Sequence, residues 1–130
     1  MADYQNAFET ILEFEGKTLT DTAGDRGGRT FAGITQKNFP NCPLWAILEQ
    51  CGTQNGEECS EAMGAVKQFY YPTFWQPIGG DYINDQAYAN KLVSDAVKGG
   101  VETAIKLAQQ ALNVPQTGKM DEVTLNAINA

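Results

Sequence analysis

Near the N-terminus, apolar residues recur with the period of an amphipathic helix. The apolar positions are Tyr4, Phe8, Ile11 and Leu12. Their spacing places them on one face of a helix, which Asp3 can cap at its start and Gly16 can end. Glu15 falls on the same face. The pattern therefore predicts a carboxyl group on the buried side of the helix, at the point where the helix ends.

The segment from residue 17 to residue 35 interrupts this pattern with glycine and aspartate, which are typical of turns. We predict a short, irregular β-hairpin or loop that packs beside the first helix. Thr35 follows this segment and can cap a short helix that ends before Pro40.

The remaining chain is predicted to be mainly helical. Helical patterns cover residues 43–51, 58–71, 85–98 and 101–112. Pro72 should stop the second of these helices, Asp85 should cap the third, and Asp121 should cap a last short helix. The aromatic residues between positions 69 and 75 could be a platform for sugar stacking, but we favour a role in the core. The predicted fold class is α+β, mainly helical.

Composition and charge narrow the classes of function. The 130 residues suit one globular domain, with 42% apolar and 19% charged residues. No apolar run is long enough to span a membrane, and the N-terminus lacks the pattern of a secretory signal. A net charge of −7 argues against a nucleic-acid binder, because such proteins neutralise phosphates with Lys and Arg. The absence of histidine excludes Ser-His-Asp and Cys-His catalysis, which leaves carboxylates, Tyr or Lys for acid–base work.

The cysteines are Cys42, Cys51 and Cys59, whose spacing matches neither a zinc ribbon nor a redox Cys-x-x-Cys motif. We favour three small thiols that are buried or half-buried. One disulfide is the alternative if the protein works in the periplasm, and the spacing does not identify its pairing.

Glu15 points to acid–base chemistry. A carboxyl group that is withdrawn from water holds its proton more readily and can donate it to a leaving oxygen. Glycoside hydrolysis needs such an acid and a second carboxylate. Asp21 and Asp25 lie in the predicted hairpin, which can fold back over Glu15, and Thr30 could position a water molecule. From spacing alone, it is an equally good interpretation that Glu15 ends the helix and the aspartates form turns.

Short motifs along the chain favour the catalytic interpretation of Glu15 over the structural one. The first group is Phe14-Glu15-Gly16-Lys17, Asp21, Asp25-Arg26-Gly27-Gly28, Thr30 and Gly33-Ile34-Thr35. The second group is Tyr70-Tyr71, Phe74-Trp75, Ile78-Gly79-Gly80-Asp81 and Asp95-Ala96-Val97-Lys98-Gly99-Gly100. In this order they resemble glycoside hydrolase family 108, the phage and bacterial N-acetylmuramidases that are also called secretion-activator proteins and have a lysozyme-like fold.

The resemblance implies that Glu15 is the catalytic acid and that Asp25 is the second carboxylate or a group that positions water. Candidate substrate-binding residues are Asp21, Thr30, Gln36, Tyr88 and Asp95. A structural role for Asp21 and Asp25 as turn residues remains an alternative. Asp95 could bind a sugar or tie its helix end to the hairpin, and we favour the second role.

The resemblance also implies a single muramidase-like domain over residues 1–130. Its catalytic part would be 1–80, and its helical part, 81–130, would resemble the family's peptidoglycan-binding region. The enzyme would cut glycan strands between N-acetylmuramic acid and N-acetylglucosamine, with no metal and no cofactor. Its partner would be bacterial peptidoglycan in the periplasm or cell wall. Because the N-terminus lacks the pattern of a signal peptide, we expect the protein to be delivered by cell lysis, by a virion or by a secretion machine.

Two other hypotheses stay open. The first is a peptidoglycan-binding or structural module of a virion or secretion system that keeps the fold but no longer cuts. Lys98, where the family has Asn, and the end of the chain soon after Thr124 favour this hypothesis. The second is a cytoplasmic inhibitor or escort, which suits the acidity but leaves the motif around Glu15 unexplained.

Overall fold

A computed structural model describes residues 1–16, 19–21, 29–52 and 54–130 and, at positions 20 and 21, the backbone alone. The helices in these ranges are α1 (Tyr4–Glu15), α2 (Leu44–Cys51), α3 (Ser60–Tyr70), α4 (Gln86–Gly99), α5 (Val101–Leu112) and α6 (Glu122–Asn129). The strands are β1 (Thr20–Asp21), β2 (Arg29–Phe31) and β3 (Ile34–Thr35). The predicted α+β, mainly helical class is confirmed.

The chain divides into two compact units. The first unit comprises Met1–Thr10 and Tyr70–Ala130, and the second comprises Ile11–Phe69. The divisions therefore fall within α1 and at the end of α3. The expected single domain, with parts at 1–80 and 81–130, stays a prediction.

Local capping explains where three helices begin. Asp3, Asp85 and Asp121 each accept hydrogen bonds from backbone N–H groups in the following turn, at 2.9 to 3.4 Å. These bonds satisfy donors that have no partner inside the helix. At the other end of α1, Gly16 has a φ of 79° and donates its N–H to the carbonyl of Leu12 at 2.8 Å. These predicted helix boundaries are confirmed.

The strands form one small antiparallel sheet in the order β1-β2-β3. Thr30 lies in the central strand, opposite Thr20 on one side and Thr35 on the other. The second hairpin turns through Ala32 and Gly33, both with positive φ, 51° and 79°. The predicted small β-hairpin after the first helix is confirmed.

The structure replaces the short helix predicted after Thr35 with a single turn. The Thr35 hydroxyl accepts the N–H of Asn38 at 3.4 Å, and its carbonyl accepts the N–H of Phe39 at 3.0 Å. Pro40 removes the next N–H donor, so the turn does not propagate into a helix.

Pro72 does not stop the helical path, which was predicted to end there. Residues 71–75 continue α3 as a π-helical turn, in which Gln76 donates its N–H to the carbonyl of Tyr71 at 2.8 Å. A proline is tolerated in the first turn of a helical segment, where its missing N–H needs no partner.

Aromatic side chains build the core of the first unit. Tyr70, Phe74 and Trp75 are buried, which confirms the core interpretation for these residues. The carboxylate of Asp81 accepts the indole N–H of Trp75 at 2.8 Å and the hydroxyl of Tyr71 at 2.7 Å. The hydrogen bond from Tyr71 to Asp81 raises the pKa of the Tyr71 hydroxyl.

The prediction that all three cysteines are thiols is wrong for two of them. Cys51 and Cys59 form a disulfide with their Cα atoms 6.0 Å apart. The chain leaves α2 at Gly52 and reverses through a 3₁₀ turn at 56–58, which returns Cys59 to bonding distance. Cys42 is a free, buried thiol, and burial raises its pKa.

Gln109 organises the loop between α5 and α6 from a fully buried position. Its amide nitrogen lies 2.9 Å from the hydroxyls of Thr117 and Thr124 and 3.0 Å from the carbonyl of Lys119, and its two protons are shared among these three acceptors. Its amide oxygen accepts the N–H of Gly118 at 3.0 Å. One side chain thus provides hydrogen-bond partners for Thr117, Gly118 and Lys119 of the loop.

The cap at α6 uses the same loop. Asp121 accepts the hydroxyl of Thr124 at 2.5 Å, the backbone N–H of Thr124 at 2.9 Å and the hydroxyl of Thr117 at 2.9 Å. These hydrogen bonds, with the Thr124 hydroxyl first, lower the pKa of Asp121 because they stabilise its charged form.

Candidate active site

Glu15 is the last residue of α1, and the helix ends immediately after it. The residue is half-buried, and its Oε1 atom is withdrawn from solvent. No atom in the described ranges makes a hydrogen bond to Oε1. A buried, unpaired carboxylate oxygen costs free energy, so an oxygen of this kind in a folded protein calls for an explanation beyond packing.

The small sheet belongs to the same compact unit as Glu15 and carries other predicted residues. Thr30 is half-buried in the central strand. Gln36 is also half-buried and donates its backbone N–H to the carbonyl of Arg29 at 2.9 Å, directly after the sheet ends. The backbone of Asp21 lies in β1 opposite Arg29, whereas Asp25 lies outside the described residues, as does the side chain of Asp21.

Arg29 is a residue of this region that sequence reasoning missed. Its guanidinium carbon lies 5.7 Å from the ring centre of Trp45, and its Nη1 lies 3.4 Å from the Glu49 carboxylate. Trp45 is itself held by a hydrogen bond from its indole N–H to the carbonyl of Phe39 at 2.8 Å. Arg29 therefore attaches the strand that carries Thr30 to α2. The only local signal was an arginine that follows the Gly-Gly pair in the sequence.

Tyr88 and Asp95 lie in the first unit, where both line a groove between α4 and α5 with a volume of about 570 Å³. Burial raises the pKa of the Tyr88 hydroxyl. The carboxylate of Asp95 accepts a hydrogen bond from Lys91 at 3.2 Å along the same helix. The rest of the lining is mainly apolar side chains of the two helices.

The structure thus groups the predicted residues by unit. Glu15, Thr30 and Gln36 belong to the second unit, and Tyr88 and Asp95 share the groove of the first. Across the described ranges, no three or more Cys, Asp or Glu side chains come together as metal ligands would. A carboxyl group of the kind found at Glu15 can transfer a proton without a metal.

Comparison with known proteins identifies the scaffold. Residues 8–100 match the family described as glycosyl hydrolase 108. Among solved structures, the chain is similar to SagA from Brucella abortus, with a TM-score of 0.71 and 23% sequence identity. The match covers 96% of this chain and 67% of the SagA chain, and it confirms the expected lysozyme-like fold. No curated protein sequence matches the chain significantly. Because the family match covers most of its length, the chain belongs to the glycosyl hydrolase 108 family.

Proposed function

We propose that this member of a peptidoglycan-hydrolase type of family is an N-acetylmuramidase that cleaves the bond between N-acetylmuramic acid and N-acetylglucosamine. The observation that carries the proposal is the buried Oε1 of Glu15, which lacks a hydrogen-bond partner in the described part of the chain. A carboxyl group kept for structure alone would be paired or exposed. A general acid must instead be free to meet the oxygen of its substrate.

In the proposed reaction, Glu15 protonates the glycosidic oxygen as the bond to the anomeric carbon breaks. Asp25 serves as the second carboxylate, which either activates a water molecule or stabilises the positive charge that develops on the sugar ring. Asp21 is the alternative for this role. Thr30, held in the central strand by neighbours on both sides, positions the attacking water.

Substrate contacts are part of the same proposal. Gln36 is half-buried next to the sheet and has an amide that could bind a sugar hydroxyl. Tyr88 and Asp95, which line the groove between α4 and α5, stay predicted substrate contacts.

Peptidoglycan as the substrate would place the activity at the bacterial cell wall. None of the helices in the described ranges is both long and apolar enough to cross a membrane. We also propose delivery by a virion, by cell lysis or by a secretion machine, with the carrier as a further partner.

The test compares the unchanged protein with Glu15→Gln on isolated peptidoglycan, with mass spectrometry of the released fragments. Glutamine keeps the size of the side chain but cannot donate the proton, so release should fall by roughly 10²- to 10⁴-fold. Glu13→Gln is the matched control, since it changes the same charge on an exposed position of α1. It should leave release unchanged.

Release of fragments with reducing N-acetylmuramic ends, lost only in Glu15→Gln, would support the muramidase and the role of Glu15 together. Binding to the wall without release by any of the three proteins would instead show a non-catalytic peptidoglycan-binding module. Equal activity of Glu15→Gln and the unchanged protein would show that another group donates the proton.

A further inference from the structure

Helix α5 carries apolar residues on two faces. Ile105 on one face is buried, and α5 packs against both α4 and α6. A second stripe lines the groove at the spacing i, i+3, i+4 and i+7, and its members are Ala104, Leu107, Ala108 and Ala111. Leu107 is 58% exposed, which makes it one of the few large apolar side chains at the surface of the described residues.

Helix α4 contributes a matching stripe with the same spacing. Its groove-lining members are Tyr88, Lys91, Leu92 and Asp95. The two helices are joined at Gly100 and pack against each other, so the two stripes border one furrow that is about two turns long. A furrow between two helices that is lined partly by small alanine side chains is the kind of surface on which a third helix packs with its ridge in the groove.

The charged groups of the furrow already have partners within their own helix. The Lys91 ammonium and the Asp95 carboxylate already pair with each other at 3.2 Å. Asp85 accepts backbone N–H groups of its own helix as the cap of α4. The Tyr88 hydroxyl is the remaining polar side-chain group of the lining, so few groups converge on a small polar ligand in the furrow.

Charge identifies the kind of helix. The charged groups of the furrow are Asp85, Lys91 and Asp95, which sum to −1, and the whole chain carries −7. An approaching segment with basic residues beside its apolar stripe would therefore be attracted, whereas an acidic segment would be repelled.

We propose that the furrow between α4 and α5 docks an amphipathic helix of a partner polypeptide, with an apolar stripe against Leu107 and the alanines and with Lys or Arg at its flanks. This is a site of partner recognition, and it does not depend on the reaction proposed for Glu15. It uses the helix-in-groove mode, in which side chains at i, i+3 or i+4 and i+7 anchor the guest.

The test uses a synthetic helical peptide of about five turns, roughly 18 residues, with leucine in a single stripe and lysine on the remaining face. Binding to isotope-labelled full-length protein is followed by NMR shifts and by titration. A peptide with the same composition in scrambled order removes the stripe, and a peptide with glutamate in place of lysine reverses the charge. We expect shifts confined to α4 and α5, and weaker binding of both control peptides.

Matched variants assign the site. Leu107→Lys should weaken binding by about tenfold or more, because it places a charge where the apolar stripe must pack. Val123→Lys adds the same charge at a comparably exposed apolar residue, 57% exposed, of α6 outside the furrow. It should change binding by about twofold or less, since it alters only the long-range attraction.

Several results would overturn the proposal. Equal binding of the ordered and scrambled peptides, or equal effects of the two variants, would show attraction by charge alone. Self-association that Leu107→Lys abolishes would assign the furrow to a second copy of the chain. Loss of binding to isolated peptidoglycan in Leu107→Lys would assign it to the wall.

Discussion

Replacing Gly80 with alanine should destabilise the first unit, because the new Cβ would lie 2.3 Å from two ring atoms of Trp75. Carbon atoms in contact are normally about 3.5 to 4.0 Å apart, so the ring or the backbone must move by roughly 1 Å. Trp75 has little room to move. Its side chain is fully buried, and its indole N–H is bonded to Asp81 at 2.8 Å.

The size of the effect follows from these two constraints. Overpacking of a core costs about 1 to 3 kcal/mol. Weakening the hydrogen bond from Trp75 to the charged Asp81 adds about 1 kcal/mol or more. We therefore expect the free energy of unfolding to fall by about 2 to 4 kcal/mol. In a chain of this size, that loss lowers the melting temperature by roughly 10 °C.

Gly64→Ala is the matched control. Gly64 lies in the middle of α3, and a Cβ there would meet nothing within 4 Å. The same substitution should stabilise the protein by about 0.5 to 1 kcal/mol, because alanine loses less conformational freedom in a helix than glycine does. Urea unfolding, monitored by far-ultraviolet circular dichroism, measures both variants. Equal unfolding midpoints for Gly80→Ala and Gly64→Ala would refute the close contact between Gly80 and Trp75.

Three further predictions concern other parts of the chain. Gln109→Leu should lower the free energy of unfolding by roughly 3 kcal/mol, since the loop loses the hydrogen bonds of the Gln109 amide. Gln110→Leu, at an exposed position, should change it by less than about 0.5 kcal/mol in the same urea unfolding experiment. Arg29→Met should reduce kcat on peptidoglycan fragments several-fold, with a loss of stability of about 1 kcal/mol. Glu49→Gln keeps the contact between Arg29 and the indole ring and should retain most of the activity. Equal losses of kcat in the two variants would contradict a positioning role for Arg29. The lowered pKa of Asp121 stabilises the fold at pH values above the pKa of an aspartate in the unfolded chain, and this contribution is lost as the pH falls through the folded pKa. Asp121→Asn should therefore flatten the decline of stability in acid. An unchanged dependence of stability on pH in acid titrations would count against this prediction.

Local signals in the sequence predicted the helices well. Asp3, Asp85 and Asp121 were assigned as caps from residue type and position alone, and each makes its backbone hydrogen bonds in the structure. Such bonds join residues two or three positions apart, so no knowledge of the distant chain is needed. The end of α1 at Gly16 follows from the same kind of information.

The predictions that were wrong concern features that depend on contacts beyond the nearest neighbours in the sequence. The disulfide between Cys51 and Cys59 depends on the path of the connecting turn, which residue spacing does not specify. The π-helical turn after Tyr70 depends on Phe74 and Trp75, whose burial in the core keeps the chain helical past Pro72. In both places, tertiary contacts outweighed the local preference.

The candidate site was predicted only in part for the same reason. Glu15 could be found because a carboxyl group on an apolar stripe is a local anomaly. Arg29 could not be found, because its partners Trp45 and Glu49 lie on a helix that follows a turn of unpredicted geometry. The second face of α5 was also missed, since helical periodicity reports that a residue is apolar but does not report what covers it.

The hydrogen bonding of other polar side chains supports the proposed role of Glu15 as the general acid. Gln109 uses both ends of its amide, and Asp81 takes a donor on each oxygen, so these two structural side chains are well paired. By contrast, no atom of the described residues makes a hydrogen bond to the buried Oε1 of Glu15, and burial without a partner costs free energy. Glu15→Gln should therefore lose activity without losing stability, because glutamine keeps the size of the side chain but cannot donate the proton. A loss of both would show that Glu15 holds the end of α1 in place, and it would return the acid–base role to another carboxylate.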